Sequence, residues 1–218
     1  DLADWCRTHG LDAIVSTDGD ADRPMLTDAT GKVIAGDVLG VLTAREVGAK
    51  GVVTPVSSND MVRRLPEFHD VRLTRIGSPY VIAGMDEARQ TTPEIVGFEA
   101  NGGFLLGFDA MINGPITGLP TRDCMLPILA PLYAAHREGC SLAELVDRLP
   151  ACFTSADRIQ EIVRAKPFQQ LTGPIEDDIN RATFFAPFGS IASVDITDGL
   201  RVNFESGDVA HLRPSGNA

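Results

Sequence analysis

Basic side chains are scarce: 19 lysines and arginines face 30 aspartates and glutamates, for a formal charge of −11. Gripping a duplex requires a basic face that neutralises phosphates, so nucleic-acid binding is not expected. No apolar run approaches the ~18 residues of a membrane helix, so a transmembrane role is not expected either. The four cysteines, Cys6, Cys124, Cys140 and Cys152, include no C-x-x-C pair. Neither a zinc site nor a disulfide framework is therefore expected, and reduced thiols suit a cytoplasmic protein. The opening segment, Asp1 to Arg7, lacks the basic-then-apolar order of a signal peptide and reads as the interior of a helix. Internal repeats and low-complexity tracts are absent. What is present is ordinary for a folded chain: 218 residues, 44% apolar and 22% charged, enough for one large domain or two small ones.

Short apolar runs alternate with amphipathic stretches. Residues 1–9 read as helix stopped by Gly10, and Ala13-Ile14-Val15 as a short buried strand leading into an acidic loop. Leu39, Leu42 and Val47 predict a helix from Asp37. Strands are expected at residues 51–54, 71–75 and 94–98, with a short helix at 60–65 and a longer one at 80–89. This alternation implies an α/β layer domain with a parallel or mixed sheet. A helix over 123–137 should be kinked or shortened by Pro127 and Pro131. Ser141 and Glu144 form a capping box for another helix, ended by Pro150, where a domain boundary is expected. Beyond it, a helix capped by Ser155 and an antiparallel meander turning at Asp198-Gly199 predict a smaller α+β module.

Three constellations could carry chemistry. In Asp18-Gly19-Asp20-Ala21-Asp22-Arg23, three carboxylates at alternate positions can converge on one point. Their mutual repulsion calls for a hard cation or an arginine between them, and oxygen-only ligands favour Mg²⁺ or Ca²⁺. The competing reading is a solvated acidic turn, but the apolar strand just before it favours a site. An EF-hand is excluded because Arg23 and Ala29 occupy the positions of its glycine and glutamate. A haloacid-dehalogenase-type phosphatase would continue Asp-x-Asp with Gly-Thr, where Ala21-Asp22 stands. The second constellation, Gly97-Phe98-Glu99-Ala100-Asn101-Gly102-Gly103, sets a carboxylate and an amide in a glycine-rich turn suited to sugar hydroxyls. The third, Arg213-Pro214-Ser215-Gly216-Asn217, groups a guanidinium, a hydroxyl and free amides as an anion cradle. A Gly-rich turn and a polar tail are the plain alternatives to these two. His9, His69, His136 and His211 read as surface residues, and Glu176-Asp177-Asp178 as a solvated acidic face.

In this order, the three motifs resemble the α-D-phosphohexomutase superfamily of phosphomannomutases and phosphoglucomutases. Asp18 to Arg23 is similar to the family's D-G-D-G/A-D-R metal loop, Glu99 and Asn101 to its G-E-x-S-G-H sugar loop, and Arg213 to Asn217 to its R-x-S-G-T/N phosphate loop. Thr74-Arg75-Ile76-Gly77 resembles its T-K/R-V-G segment, and Ser57-Ser58-Asn59 sits where relatives carry a polar interdomain loop. The resemblance implies a four-domain enzyme that interconverts hexose 1- and 6-phosphates, of mannose or glucose, through a phosphoserine and a bisphosphate intermediate. It implies that Asp18, Asp20 and Asp22 hold Mg²⁺, that Arg23 orients the reacting phosphate, and that Arg75, Glu99 and Asn101 contact substrate. Arg213, Ser215, Gly216 and Asn217 would then hold the non-reacting phosphate. Residues 1–32 correspond to the end of the family's second domain, 33–150 to its α/β third domain and 151–218 to part of its α+β fourth.

The departures are specific. No T-x-S-H-N-P phosphoserine segment occurs, so the N-terminal domains are expected to be missing and these 218 residues alone to be inactive. Gly103 replaces the histidine that closes the sugar loop, and Ser78 stands where some relatives carry another. Phe98 and Asn101 replace a glycine and a serine, which bears on sugar preference. The alternatives are a phosphatase using Asp18 as nucleophile and a non-catalytic, metal-stabilised sugar-phosphate binding module.

Overall fold

The computed structural model describes residues 1–157 and 177–213, which fall in two units divided between Thr154 and Ser155. Along the first run α1 (Leu2–His9), β1 (Val15–Thr17), β2 (Pro24–Leu26), α2 (Gly36–Glu46), β3 (Gly51–Pro55), a 3₁₀ turn (Asp60–Arg64), β4 (Asp70–Thr74), α3 (Ser78–Ala88) and β5 (Ile95–Phe98). There follow β6 (Phe104–Leu106), β7 (Ala110–Met111), β8 (Pro115–Ile116), β9 (Leu119–Asp123), α4 (Leu126–Glu138) and α5 (Leu142–Asp147). The second unit contains α6 (Asp178–Phe184), a 3₁₀ turn (Ala186–Phe188), β10 (Ile191–Asp195), β11 (Leu200–Phe204) and β12 (Val209–Leu212).

Side-chain alternation in the strands sets the layers of the first unit. The main sheet has the order β4-β3-β5-β6-β9; β3 runs parallel to β4 and β5, while β5–β6 and β6–β9 are antiparallel. Val52, Val96, Phe104 and Leu106 point to one face and pack with Leu39, Leu42 and Ala134 of α2 and α4. Their neighbours Val53, Ile95 and Leu105 point to the other and pack with Val81, Met85 and Ala88 of α3. With its side-chain period of two, each strand therefore feeds two cores, and helices cover both faces of a mixed sheet. Phe98 and Phe104 stack with centroids 6.5 Å apart. The Phe98 ring lies against Gly40 of α2, where a Cβ would come within 2.4 Å of it.

Several expectations change in detail. Asp1 is not inside a helix but is the N-cap of α1, its side chain accepting from the Asp4 N–H at 2.8 Å. The first strand starts at Val15 and is exposed, because it pairs with β2 in a two-stranded ribbon outside the main sheet. The helix expected over 123–137 starts at Leu126, with Asp123 Oδ1 and Oδ2 accepting from the Met125 and Leu126 amides at 2.9 Å. Pro127 falls in the first turn, where a missing N–H costs no bond, and Pro131 is carried inside. Ser58 and Asn59 are buried within the first unit: Thr54 Oγ1 lies 2.6 Å from Ser58 Oγ, and the Asn59 N–H donates to Asp37 at 2.8 Å. Burial pushes the Asp37 carboxyl up from its ordinary value against those amide bonds. The capping box at Ser141 forms as expected. In the second unit, Asp177 caps α6, and β10-β11-β12 form the antiparallel meander over a core of Phe185, Leu200, Val202 and Phe204. The helix expected after Ser155 lies outside the described residues.

At the start of β4, Asp70 accepts from Arg72 Nε and Nη2, both at 2.9 Å, and from Thr92 Oγ1 at 3.0 Å. The Arg72 bonds hold its carboxyl below the usual range despite partial burial. Because the folded pKa is lowered, the stabilisation is complete above the unfolded value of about 3.9 and is lost as pH falls through the lower folded value. Asp70→Asn should therefore cost about 1 kcal/mol at pH 7. Urea unfolding at pH 7 and again near pH 3 checks this, and the difference from wild type should shrink at the lower pH.

Candidate functional site

The acidic loop spans residues 18–23 and joins β1 to β2, which pair so that Thr17 faces Pro24 at its base. The loop closes on itself: the Asp18 N–H donates to the Arg23 carbonyl and the Ala21 N–H to the Asp18 carbonyl, both at 3.2 Å. Ala21 holds a left-handed φ of 57°, an uncommon conformation for a residue with a Cβ. Asp18 Oδ1 accepts from the amides of Asp22 and Arg23, each at 3.2 Å, and Asp18 Oδ2 from Arg23 Nε. Partial burial pushes the Asp18 carboxyl up, but hydrogen bonds from the Arg23 amide and guanidinium and from the Asp22 amide outweigh it and hold it below its ordinary value. One carboxylate oxygen each from Asp18, Asp20 and Asp22 lies within 4.8 Å of the others. Asp20 is exposed, the other two half-buried. Asp22 Oδ1 is buried without a hydrogen bond. An all-oxygen trio with an orphaned buried oxygen suits a hard divalent cation such as Mg²⁺.

The second expected loop lies beside the first. Between β5 and β6, the Glu99 N–H donates to the Gly103 carbonyl at 3.1 Å and the Gly102 N–H to the Glu99 carbonyl at 2.9 Å, making a tight turn. Asn101 is exposed, and its Oδ1 accepts from the Gly103 N–H at 3.0 Å. Glu99 is 5% exposed. Two close approaches place this turn. A Cβ on Gly102, at φ 92°, would fall 2.7 Å from Pro24 Cγ, and one on Gly36 would fall 2.3 Å from Gly102 N. The start of α2 and the end of the acidic loop thus clamp the turn.

Arg122, on β9, joins the two loops. Its Nη2 pairs with Asp22 Oδ2, and its Nη1 lies 3.5 Å from Glu99 Oε2, which is buried without a hydrogen bond. No motif singles it out; the nearest signal is Asp123, a helix-cap residue ahead of an apolar run. The neighbouring Cys124 is buried, and burial, then the carboxylates of Asp123, Asp18 and Asp22, push its thiol up. Arg23 is half-exposed and engaged with Asp18, with Asp22 Oδ1 3.5 Å from its Nε. Arg75, also exposed, carries its guanidinium 5.9 Å over the Tyr80 ring just after β4.

In the second unit, Arg213 directly follows β12 with its Nη1 3.5 Å from Asp198 Oδ2. The Asp198-Gly199 turn requires its glycine: φ is 81°, and a Cβ would lie 2.4 Å from the Leu212 carbonyl and 2.7 Å from Arg213 Cβ. Ser215, Gly216 and Asn217 lie outside the described residues. Among the described residues, no helix is long and apolar enough to cross a membrane.

Residues 33–153 match the family described as phosphoglucomutase/phosphomannomutase, alpha/beta/alpha domain III. The whole chain is 42% identical to a phosphomannomutase of Sinorhizobium fredii, covering 46% of that protein. It is 41% identical, over 98% of its length, to a phosphomannomutase of Salmonella muenchen, covering 45% of that protein. The chain thus spans about half the length of these relatives. The fold matches a crystal structure of a phosphoglucomutase/phosphomannomutase family protein from Burkholderia thailandensis, with a TM-score of 0.68 at 18% identity, over 99% of this chain and 42% of that one. The three-layer sheet and the matched third domain together give one conclusion: the chain belongs to the phosphoglucomutase/phosphomannomutase family.

Proposed function

We propose that these residues are part of a phosphohexomutase that interconverts hexose 1-phosphate and hexose 6-phosphate, with mannose or glucose as the sugar, through a phosphoserine and a bisphosphate intermediate. The observation that carries the reading is the convergence of three carboxylates within 4.8 Å of one another, beside a turn that presents Glu99 and Asn101. In this reading residues 1–32 end a second domain, 33–150 are a third and 151–218 belong to a fourth. Asp18, Asp20 and Asp22 would hold Mg²⁺, which when bound supplies positive charge against the oxygens of a transferring phosphoryl group. Arg23 leaves Asp18 to orient the reacting phosphate, for which its forked donors are suited. Glu99 accepts from sugar hydroxyls, Asn101 offers its amide, and Arg75 contributes a second guanidinium. Arg213, with Ser215, Gly216 and Asn217, binds a phosphate.

The test is turnover by the complete protein. With Mg²⁺ and a trace of hexose bisphosphate, mannose 1-phosphate or glucose 1-phosphate should become the 6-phosphate without steady release of inorganic phosphate. Steady hydrolysis of an aryl phosphate that is lost in Asp18→Asn would point to a phosphatase instead. Tight hexose-phosphate binding without either reaction would point to a binding module.

A further inference from the structure

We infer that Arg122 is a positioning residue that links the metal loop to the sugar loop, its guanidinium shared between Asp22 and Glu99. The inference rests on the proposed metal site and goes beyond it by giving that site a second control. Arg122 touches one carboxylate from each loop, through Nη2 to Asp22 and Nη1 toward Glu99. Of the two oxygens it approaches, Glu99 Oε2 is buried without a hydrogen bond. The Glu99 side chain is 93% buried by its 7% exposure, so its charge has little water to turn to. The space for the guanidinium stem is set by Gly103, whose backbone is not left-handed and needs no glycine on that account. A Cβ there would meet Arg122 Cδ at 3.0 Å and Cγ at 3.3 Å, so a bulky side chain at 103 and the present course of Arg122 exclude one another.

The shared guanidinium makes the two loops sense each other. A divalent cation at the aspartates competes with Arg122 for Asp22 and is repelled by it. Drawing Asp22 toward the cation leaves Arg122 to pair with Glu99, fixing the carboxylate that meets the sugar. By reciprocity, whatever holds Arg122 on Glu99 favours the cation.

Isothermal titration of Mg²⁺ into the complete protein tests this without any assay of turnover. Arg122→Gln should bind Mg²⁺ roughly three- to tenfold more tightly, because a competing positive charge is gone. Arg122→Lys, which keeps the charge, should stay within about twofold of wild type. Glu99→Gln should weaken Mg²⁺ binding about threefold or more in the Arg122 protein, because the guanidinium then rests on Asp22 alone, and by less than about twofold in Arg122→Gln. Unchanged or weaker binding in a folded Arg122→Gln protein, or equal effects of Glu99→Gln in both backgrounds, would overturn the inference while leaving the proposed site intact. Mg²⁺ binding as tight in Asp20→Asn as in wild type, or absent from wild type, would overturn both. A loss of fold in Arg122→Gln, seen as a lowered thermal midpoint, moves the decision to Arg122→Lys combined with Glu99→Gln. Lysine lacks the fork whose separate nitrogens reach Asp22 and Glu99, and its ammonium is a point donor on a shorter stem, so the Glu99 effect should fall below about twofold there as well, and its persistence would overturn the linkage.

Discussion

Asp20→Asn in the complete protein should slow hexose phosphate turnover on the order of 10³-fold at fixed Mg²⁺, a loss of about 4 kcal/mol of transition-state stabilisation. Asp20 is the exposed member of the three carboxylates, whereas Asp18 organises the loop through bonds to two amides and to Arg23 Nε. Removing the Asp20 charge therefore takes one of three anionic oxygens from the cation without unpicking the loop. The thermal midpoint measured in a chelator should stay within about 2 °C of wild type, in keeping with an exposed substitution. Steady-state kinetics over a Mg²⁺ series completes the test: excess Mg²⁺ should restore part of the rate. A rate within tenfold of wild type would mean that these carboxylates do not hold the cation that matters.

Gly36→Ala should destabilise the protein by about 3 kcal/mol or more and lower kcat/KM by more than about tenfold. Its Cβ would fall 2.3 Å from Gly102 N, 2.5 Å from the Asn101 carbonyl carbon and 2.6 Å from the Ala100 carbonyl oxygen. All three are backbone atoms of the turn that carries Glu99, so no side chain can swing aside. Either α2 retreats from the sheet or the turn moves, and either displaces Glu99 relative to the acidic loop. Gly40→Ala is the control four residues on, where the obstruction is the movable Phe98 ring. It should lose stability with a smaller effect on kcat/KM. Guanidinium unfolding and substrate titration of both variants separate the packing loss from the positional one.

Much of this arrangement was legible in the residues. Val52-Val53 and Ile95-Val96 mark strands by their β-branched runs, and the Ser141–Glu144 box and the Asp198-Gly199 turn carry local chemistry that fixes them wherever they occur. The region 104–123 was not legible as strands. Its glycines and prolines interrupt every apolar run, and the short strands β6 and β9 are held by pairing across the sheet. The exposure of Val15 had the same origin: an apolar residue in a short run looks buried until its ribbon is seen to lie outside the main sheet. Within the site, Asp18, Asp20 and Asp22 could be read because alternate spacing in one loop forces them together. Arg122 could not, because its place between Asp22 and Glu99 arises only when three segments distant in sequence meet. The same holds for Gly36, whose need for a missing side chain is visible only against the backbone of residues 100–102.

In the proposed function Asp18, Asp20 and Asp22 hold a divalent cation beside a sugar that meets Glu99. Anomalous diffraction from crystals of the complete protein grown with Mn²⁺ and a hexose 1-phosphate tests it most directly. A Mn²⁺ peak should lie about 2.0–2.3 Å from one oxygen of each aspartate, with a sugar hydroxyl within hydrogen-bond distance of Glu99. A peak ligated elsewhere, or a sugar bound away from Glu99 with the aspartates empty, would contradict it.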